Sequence, residues 1–453
     1  MKLWGGRFKK PTAPEMDALG SSIAFDRRLA LEDVRINRAY SKELKAVGVL
    51  TGAELETILD GLDRVEEKLG ENPVLEDEDI HTAVERLLAE AIDDPAVAAK
   101  IPTGRSRNDL SVTELRLHMA GALARALDAV TSLQKGLLEK ASENRDALLP
   151  GYTHLRRGQP VVFAQYLLAY FWALDRDRAR LRAAQSRALG LALGAGALAG
   201  NPFGVDRGRL AEELGFDSVL PNSIDAISSR DYLLEFLSSA AILGTHLSRM
   251  SEDLILWSGA EYGFLTIDES YSTGSSLMPQ KRNPDSLELI RGKSGRLAGN
   301  LVSLLTTVKG LPTGYQRDLQ EDKEPVFDTL DTLALILPVM DGVIRTLGVN
   351  REGMAKALTP DLLATDLAEY LVRKGLPFRE AHSVVGQVLQ EAAEKGVSPA
   401  TLNLDELSAF SPLFDASVSE VWDYQASAER RDTEGGVSRR AIDEQIAKAA
   451  ERV

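Results

Sequence analysis

LLEFLSSAAILGTHLSRMSEDLILW, residues 233–257, decides how this chain folds. Its residues Leu233, Phe236, Leu237, Ala240, Leu243, Leu247, Met250, Leu254 and Trp257 recur every three or four positions, the period of one helix face, over about seven turns. Similar stripes run through 119–138, 161–181, 297–308 and 327–347. With no convincing strand alternation anywhere, five long helices in mid-chain predict an all-α bundle. Apolar faces this long exceed what one five-helix bundle buries, and the surplus predicts packing against further subunits.

The flanks read differently. Residues 1–106 carry shorter helices (29–47, 53–69 and 80–91), and the chain beyond Thr359, a plausible N-cap before Pro360, is again short-helical. Three mainly helical domains are therefore expected: 1–106, 107–358 and 359–453, with no internal repeat. The glycines of Gly194-Ala195-Gly196-Ala197-Leu198-Ala199-Gly200 follow a helical pattern, lack a P-loop lysine and have the wrong spacing for a dinucleotide fingerprint. They predict a small-residue turn and no cofactor.

Composition narrows the function classes. At 453 residues and 44% hydrophobic content the chain builds a sizeable core. No apolar run approaches the ~20 uncharged residues of a membrane span, and the N-terminus has no apolar leader, so a cytoplasmic protein is expected. Cysteine is absent, which excludes thiolate chemistry, and His81, His118, His154, His246 and His382 show no metal-ligand spacing. A net charge of −15 argues against nucleic acid as partner. The cations that hold an anionic substrate must then be concentrated locally.

Five segments carry such chemistry. Gly274-Ser275-Ser276-Leu277-Met278-Pro279-Gln280-Lys281-Arg282-Asn283-Pro284 is a loop bracketed by prolines, and it presents a hydroxyl, a cation and an amide in quick succession. Those parts suffice to take a proton from a carbon beside a carboxylate and to hold the charge that develops. Thr103-Gly104-Arg105-Ser106-Arg107-Asn108-Asp109 places two guanidinium forks at a helix start, and Gly151 to Pro160 surrounds His154 with polar and turn residues. Tyr315 to Glu324 is densely charged, and Ser21 to Asp26 precedes the first N-terminal helix. Each has a plain structural alternative: a polar turn, a capping turn, a surface histidine, a solvated helix entrance and an N-cap.

Together the segments resemble the argininosuccinate lyase family of the fumarase/aspartase superfamily. The Gly-Ser-Ser loop alone does not separate that family from fumarase, aspartase or adenylosuccinate lyase. Trp4-Gly5-Gly6-Arg7-Phe8 and Gly104-Arg105-Ser106-Arg107-Asn108-Asp109 are more specific, and Ala197 to Gly200, Ser286 to Arg291 and Arg317 to Pro325 extend the likeness. Leu110, Arg156, Gly158, Gly314 and Gln316 depart from the family's usual residues.

The resemblance implies reversible cleavage of argininosuccinate to arginine and fumarate, without metal or other cofactor. Ser275 is the implied base, with Lys281 beside it and Asn283 on the carboxylate. His154, oriented by Glu288, is the implied proton donor to the departing nitrogen. The family has also been described with these two roles exchanged. Ser106, Arg107 and Asn108 are implied for the fumarate-side carboxylates, and Ser21, Thr153, Tyr315, Gln320 and Lys323 for the rest of the substrate. Asp79 and His81 are expected to line the same cavity. The family's architecture implies a homotetramer whose active sites are shared between subunits. Two alternatives stay open: a sister lyase such as adenylosuccinate lyase, and a non-catalytic crystallin-like relative.

Overall fold

The computed structural model describes residues 10–453, so Trp4-Gly5-Gly6-Arg7-Phe8 lies outside the described residues. The fold is all-α. Five long helices dominate: Arg107–Glu143, Phe163–Ala188, Asp231–Ser258, Asp285–Val308 and Lys323–Thr346. The stripes read from residues 119 and 297 belong to helices that start earlier, at Arg107 and Asp285, where Leu110, Leu115, Leu287 and Ile290 are already buried among polar neighbours. Thr359 does stand at the N-cap of a short 3-10 turn, Pro360–Leu363, but its side chain makes no capping hydrogen bond.

Two compact units share these helices. Of the described residues, one comprises 10–128, 177–244 and 294–334, the other 129–176, 245–293 and 335–453, so each long helix contributes to both.

In the first unit, helices Ala30–Ala46, Gly52–Gly70 and Ile80–Ala91 pack on one another around Tyr40, Leu44, Ile58, Leu62 and Val84. Thr51 and Glu54 form a reciprocal capping box at the start of the second of these helices. Gly61 lets the crossing close, for a Cβ there would stand 2.4 Å from the Ile92 side chain. The glycine-rich turn 194–200 is built around one carboxylate. Asp109 accepts the backbone N–H groups of Gly194 and Gly196 at 2.9 and 2.8 Å. Donors that would cradle a phosphate are thereby already used.

The second unit contains what sequence reading missed, a β-hairpin. Strands Leu148–Thr153 and Arg156–Val162 pair antiparallel through a two-residue turn, His154-Leu155. Both turn residues have positive φ, 54° and 56°, the signature of a type I′ turn that usually draws Asn-Gly. Nearby, Trp257 packs edge-on against Phe163 and Tyr166. At the C-terminal end, Leu367, Leu371, Val385, Val388 and Phe414 form a separate apolar cluster, with Tyr370 stacked on Phe414.

Candidate active site

In the first unit a polar cavity of about 210 Å³ opens between the N-terminal helices, the start of helix Arg107–Glu143 and the segment 315–323. Asp79 anchors one wall. As N-cap of Ile80–Ala91 it accepts the Thr82 backbone N–H at 2.8 Å through one carboxylate oxygen. The other accepts the Arg107 guanidinium at 2.7 Å. Arg107 also donates to the Thr82 hydroxyl at 2.7 Å, so its fork is fixed before any ligand arrives. Burial works to raise the Asp79 carboxyl, but the His81 and Arg107 cations overcome it and hold the group below the usual range. Asn108 takes its place from the same turn, its backbone N–H donating to the Ser106 hydroxyl at 3.2 Å.

The opposite wall is Tyr315, Gln320 and Lys323. The Lys323 ammonium, first residue of its long helix, sits 3.0 Å from Asp322. Burial pulls the lysine down, and the Asp322 carboxylate more than offsets it, so its ammonium is held above the usual range. Arg317 closes the rim, donating to the Gly20 carbonyl and pairing with Glu78 at 3.2 Å.

The remaining candidates belong to the second unit. Thr153 and His154 are exposed at the hairpin turn. Residues Thr273–Gly274 pair antiparallel with Arg282–Asn283, which pins the two ends of the loop holding Ser275 and Lys281. The Ser275 hydroxyl oxygen accepts the backbone N–H groups of Leu277 at 3.3 Å and Met278 at 3.0 Å. A turn closes behind it, the Lys281 N–H donating to the Met278 carbonyl at 3.1 Å. Glu288 lies in the first turn of Asp285–Val308, exposed, with Arg291 at 3.9 Å. Among the described residues, no hydrogen bond or ion pair joins His154 to Glu288 or Ser275 to Lys281.

Of the residues singled out from sequence, Asp79, His81, Arg107, Asn108, Tyr315, Gln320 and Lys323 line the cavity together. Ser106 supports its edge from behind Asn108. The serine in the wall is Ser22, which donates to Asp26, whereas Ser21 donates to the Glu78 carbonyl at 3.3 Å. Asp26, Glu78, Ser111 and Arg317 also line the cavity without having been anticipated. A carboxylate four residues after a serine was the available signal for Asp26, masked by its resemblance to an ordinary helix start. Behind this wall, His81 meets two carboxyl groups sealed in the core, Asp33 and Glu114, and one ligand atom from each of the three lies within 4.8 Å of the others.

A family model described as lyase matches residues 6–299, and one described as argininosuccinate lyase C-terminal matches residues 361–429. The chain is 49% identical to argininosuccinate lyase of Roseiflexus sp. (strain RS-1), over 99% of this chain and 98% of that protein. It is 45% identical to a probable argininosuccinate lyase of Schizosaccharomyces pombe, over 98% and 97%. Among solved structures, EDDS lyase in complex with formate superposes with a TM-score of 0.86 at 30% identity, over 98% of this chain and 90% of that one. A class II fumarase from Schistosoma mansoni, 17% identical, shares the fold with a TM-score of 0.76, over 88% and 90%. With relatives this close along nearly its whole length, the chain belongs to the argininosuccinate lyases, carbon–nitrogen lyases of the fumarase/aspartase superfamily.

Proposed function

We propose that the enzyme cleaves argininosuccinate in the cytoplasm by proton abstraction first and C–N cleavage second, with Ser275 as base and His154 as acid. A C–H beside a carboxylate is a very weak acid, so the base must be strong and the resulting dianion held. The observation that carries the assignment is the Ser275 oxygen receiving two backbone N–H groups. Donors aimed at an oxygen favour its anionic form. The C–H proton passes to Ser275, and its electron pair moves into the adjacent carboxylate. That pair then forms the C=C bond of fumarate as the C–N bond breaks, and the departing nitrogen takes a proton from His154, oriented by Glu288. Lys281 supplies positive charge beside Ser275, and Asn283 holds the carboxylate. Ser106, Arg107 and Asn108 grip the fumarate side, and Ser21, Thr153, Tyr315, Gln320 and Lys323 the remainder, with Asp79 and His81 in the cavity wall.

The same reading makes the enzyme a homotetramer with each site assembled from several chains, and divides the chain into 1–106, 107–358 and 359–453. Its support is the exposure, in one chain, of His154 and Lys281 alongside large apolar side chains such as Leu289, Val302, Leu305 and Leu335 on the long helices. Fumarate release from argininosuccinate, and its absence with adenylosuccinate, tests the substrate. Purified protein inactive on both would overturn the reading.

A further inference from the structure

His81 lies in the cavity wall, yet both groups that hold it come from behind. Its Nδ1 is 2.9 Å from Asp33 Oδ2 and 2.9 Å from Glu114 Oε1. Asp33, on helix Ala30–Ala46, and Glu114, on helix Arg107–Glu143, are sealed from solvent. Asn37 donates to the second Asp33 oxygen. The other ring nitrogen, Nε2, makes no hydrogen bond among the described residues, and His81 reaches the cavity. The other cations of that cavity are committed: Arg107 to Asp79, Arg317 to Glu78 and Lys323 to Asp322, all within 3.2 Å.

We infer that Asp33 and Glu114 are positioning residues that hold His81 as a fixed cationic donor, its Nε2–H offered to a carboxylate of the bound substrate. Asp33 takes the Nδ1 hydrogen, while the buried Glu114 oxygens beside it receive no hydrogen bond and call for a proton of their own, and a buried cluster is least costly at zero net charge. An imidazolium, one carboxylate and one protonated carboxyl meet both conditions. The directions agree. Burial works to lower His81, and Glu114 and Asp33 outweigh it and raise the ring well above its ordinary value. Burial raises Glu114. The surrounding charges are accounted for. Asp26 takes the Ser22 hydroxyl and the Ile80 N–H, Asp79 takes Arg107, and Glu85 faces Arg105 at 3.9 Å.

This inference rests on the argininosuccinate reading for the identity of the ligand, and not for the state of the ring. Histidine labelled with carbon-13 at Cε1, assigned through single His→Gln variants, reports that state directly. In the wild-type enzyme the His81 ring should be protonated at about pH 7.5, where an ordinary histidine is mostly neutral. It should shift on addition of argininosuccinate. In Asp33→Asn/Glu114→Gln the ring should be neutral at that pH. The KM for argininosuccinate should then rise roughly tenfold or more, the worth of a hydrogen bond to a charged group. It should recover towards wild type as the pH is lowered and the ring recharges, with kcat changed less than KM. His81→Gln should show the same rise without recovery. A neutral His81 in the wild-type enzyme overturns the inference, and so does an unchanged KM in a double variant whose ring is shown to be neutral. Stoichiometric Mn²⁺ binding that broadens His81 alone would make the triad a cation site and also overturn it. Absence of fumarate release from wild type fails the substrate reading, while the titration still decides the ring.

Discussion

Arg230 Nε meets Asp322 Oδ2 at 2.6 Å in a place where neither side chain is more than 3% exposed, and the second Asp322 oxygen receives Lys323. One carboxylate therefore balances two buried cations, one of which forms part of the cavity wall. Tyr315, whose ring centroid is 5.6 Å from the Arg230 guanidinium, belongs to the same group.

Asp322→Asn should leave both cations without a counter-charge. We expect a loss of about 3–5 kcal/mol, the cost of breaking a buried pair, together with a raised KM as Lys323 loses its fixed position. Urea denaturation beside steady-state kinetics checks both, and a variant as stable as wild type would contradict the charge balance.

Ser275→Ala should lower kcat by a factor of at least about 10² while moving KM little, because the hydroxyl acts on the transferring proton more than on the bound ground state. Retention of more than about a tenth of wild-type turnover would remove Ser275 from proton transfer.

For His154→Asn the expected loss is roughly 10² to 10⁴ in kcat. Glu288→Gln should cost less and displace the pH–rate profile, since a neutral partner no longer favours the charged imidazole. An unmoved profile in the Glu288 variant excludes it from orienting the ring.

A pH effect is expected far from the cavity. Asp366, buried in the C-terminal cluster, takes Arg430 at 2.8 Å, Arg431 at 2.5 Å and the Ser427 hydroxyl at 2.9 Å. Burial works to raise its carboxyl, and the two arginines and the serine lower it overall. A carboxyl depressed in the folded state adds stability that is fully present above its unfolded value, near 3.8, and is lost as pH falls through the folded value. Asp366→Asn should therefore speed hydrogen exchange of helix Ala364–Arg373 at neutral pH. The difference from wild type should shrink in acid below that value, and a pH-independent difference would contradict the linkage.

Mixing inactive variants tests whether sites are shared between chains. His154→Asn and Lys281→Ala, dissociated and reassociated together, should regain part of the activity that each lacks alone, because some hybrid sites receive intact segments only. Light scattering should give about four chains per particle. A fully active monomer, or hybrids that form and stay dead, would count against shared sites.

The long helices were legible because packing on one face leaves a periodic trace, as Leu233 to Trp257 shows. In the helices that start at Arg107 and Asp285 the stripe already includes buried Leu110, Leu115, Leu287 and Ile290, set among polar residues that mask the period. The hairpin was hidden because His154-Leu155 occupies a turn that normally advertises itself with Asn-Gly. The cavity was legible at Arg107, Asn108 and Lys323, whose cations and amide sit in dense polar motifs. Asp33 and Glu114 were not, since each looks like an ordinary surface charge on its helix until His81, 48 residues from Asp33, is brought between them.

The division of the chain has a consequence for its synthesis. The first unit takes its last segment from residues 294–334, so a nascent chain that has reached residue 128 waits for 206 more (334 − 128) before that unit is whole. At roughly 5–20 residues per second this is on the order of 10–40 s. During that interval Asp109 lacks the Gly194 and Gly196 amides, and Arg28 lacks Asp331, its partner at 2.7 Å. The apolar stripe of residues 107–128 meanwhile lacks the later segments, 177–244 and 294–334, that complete its unit.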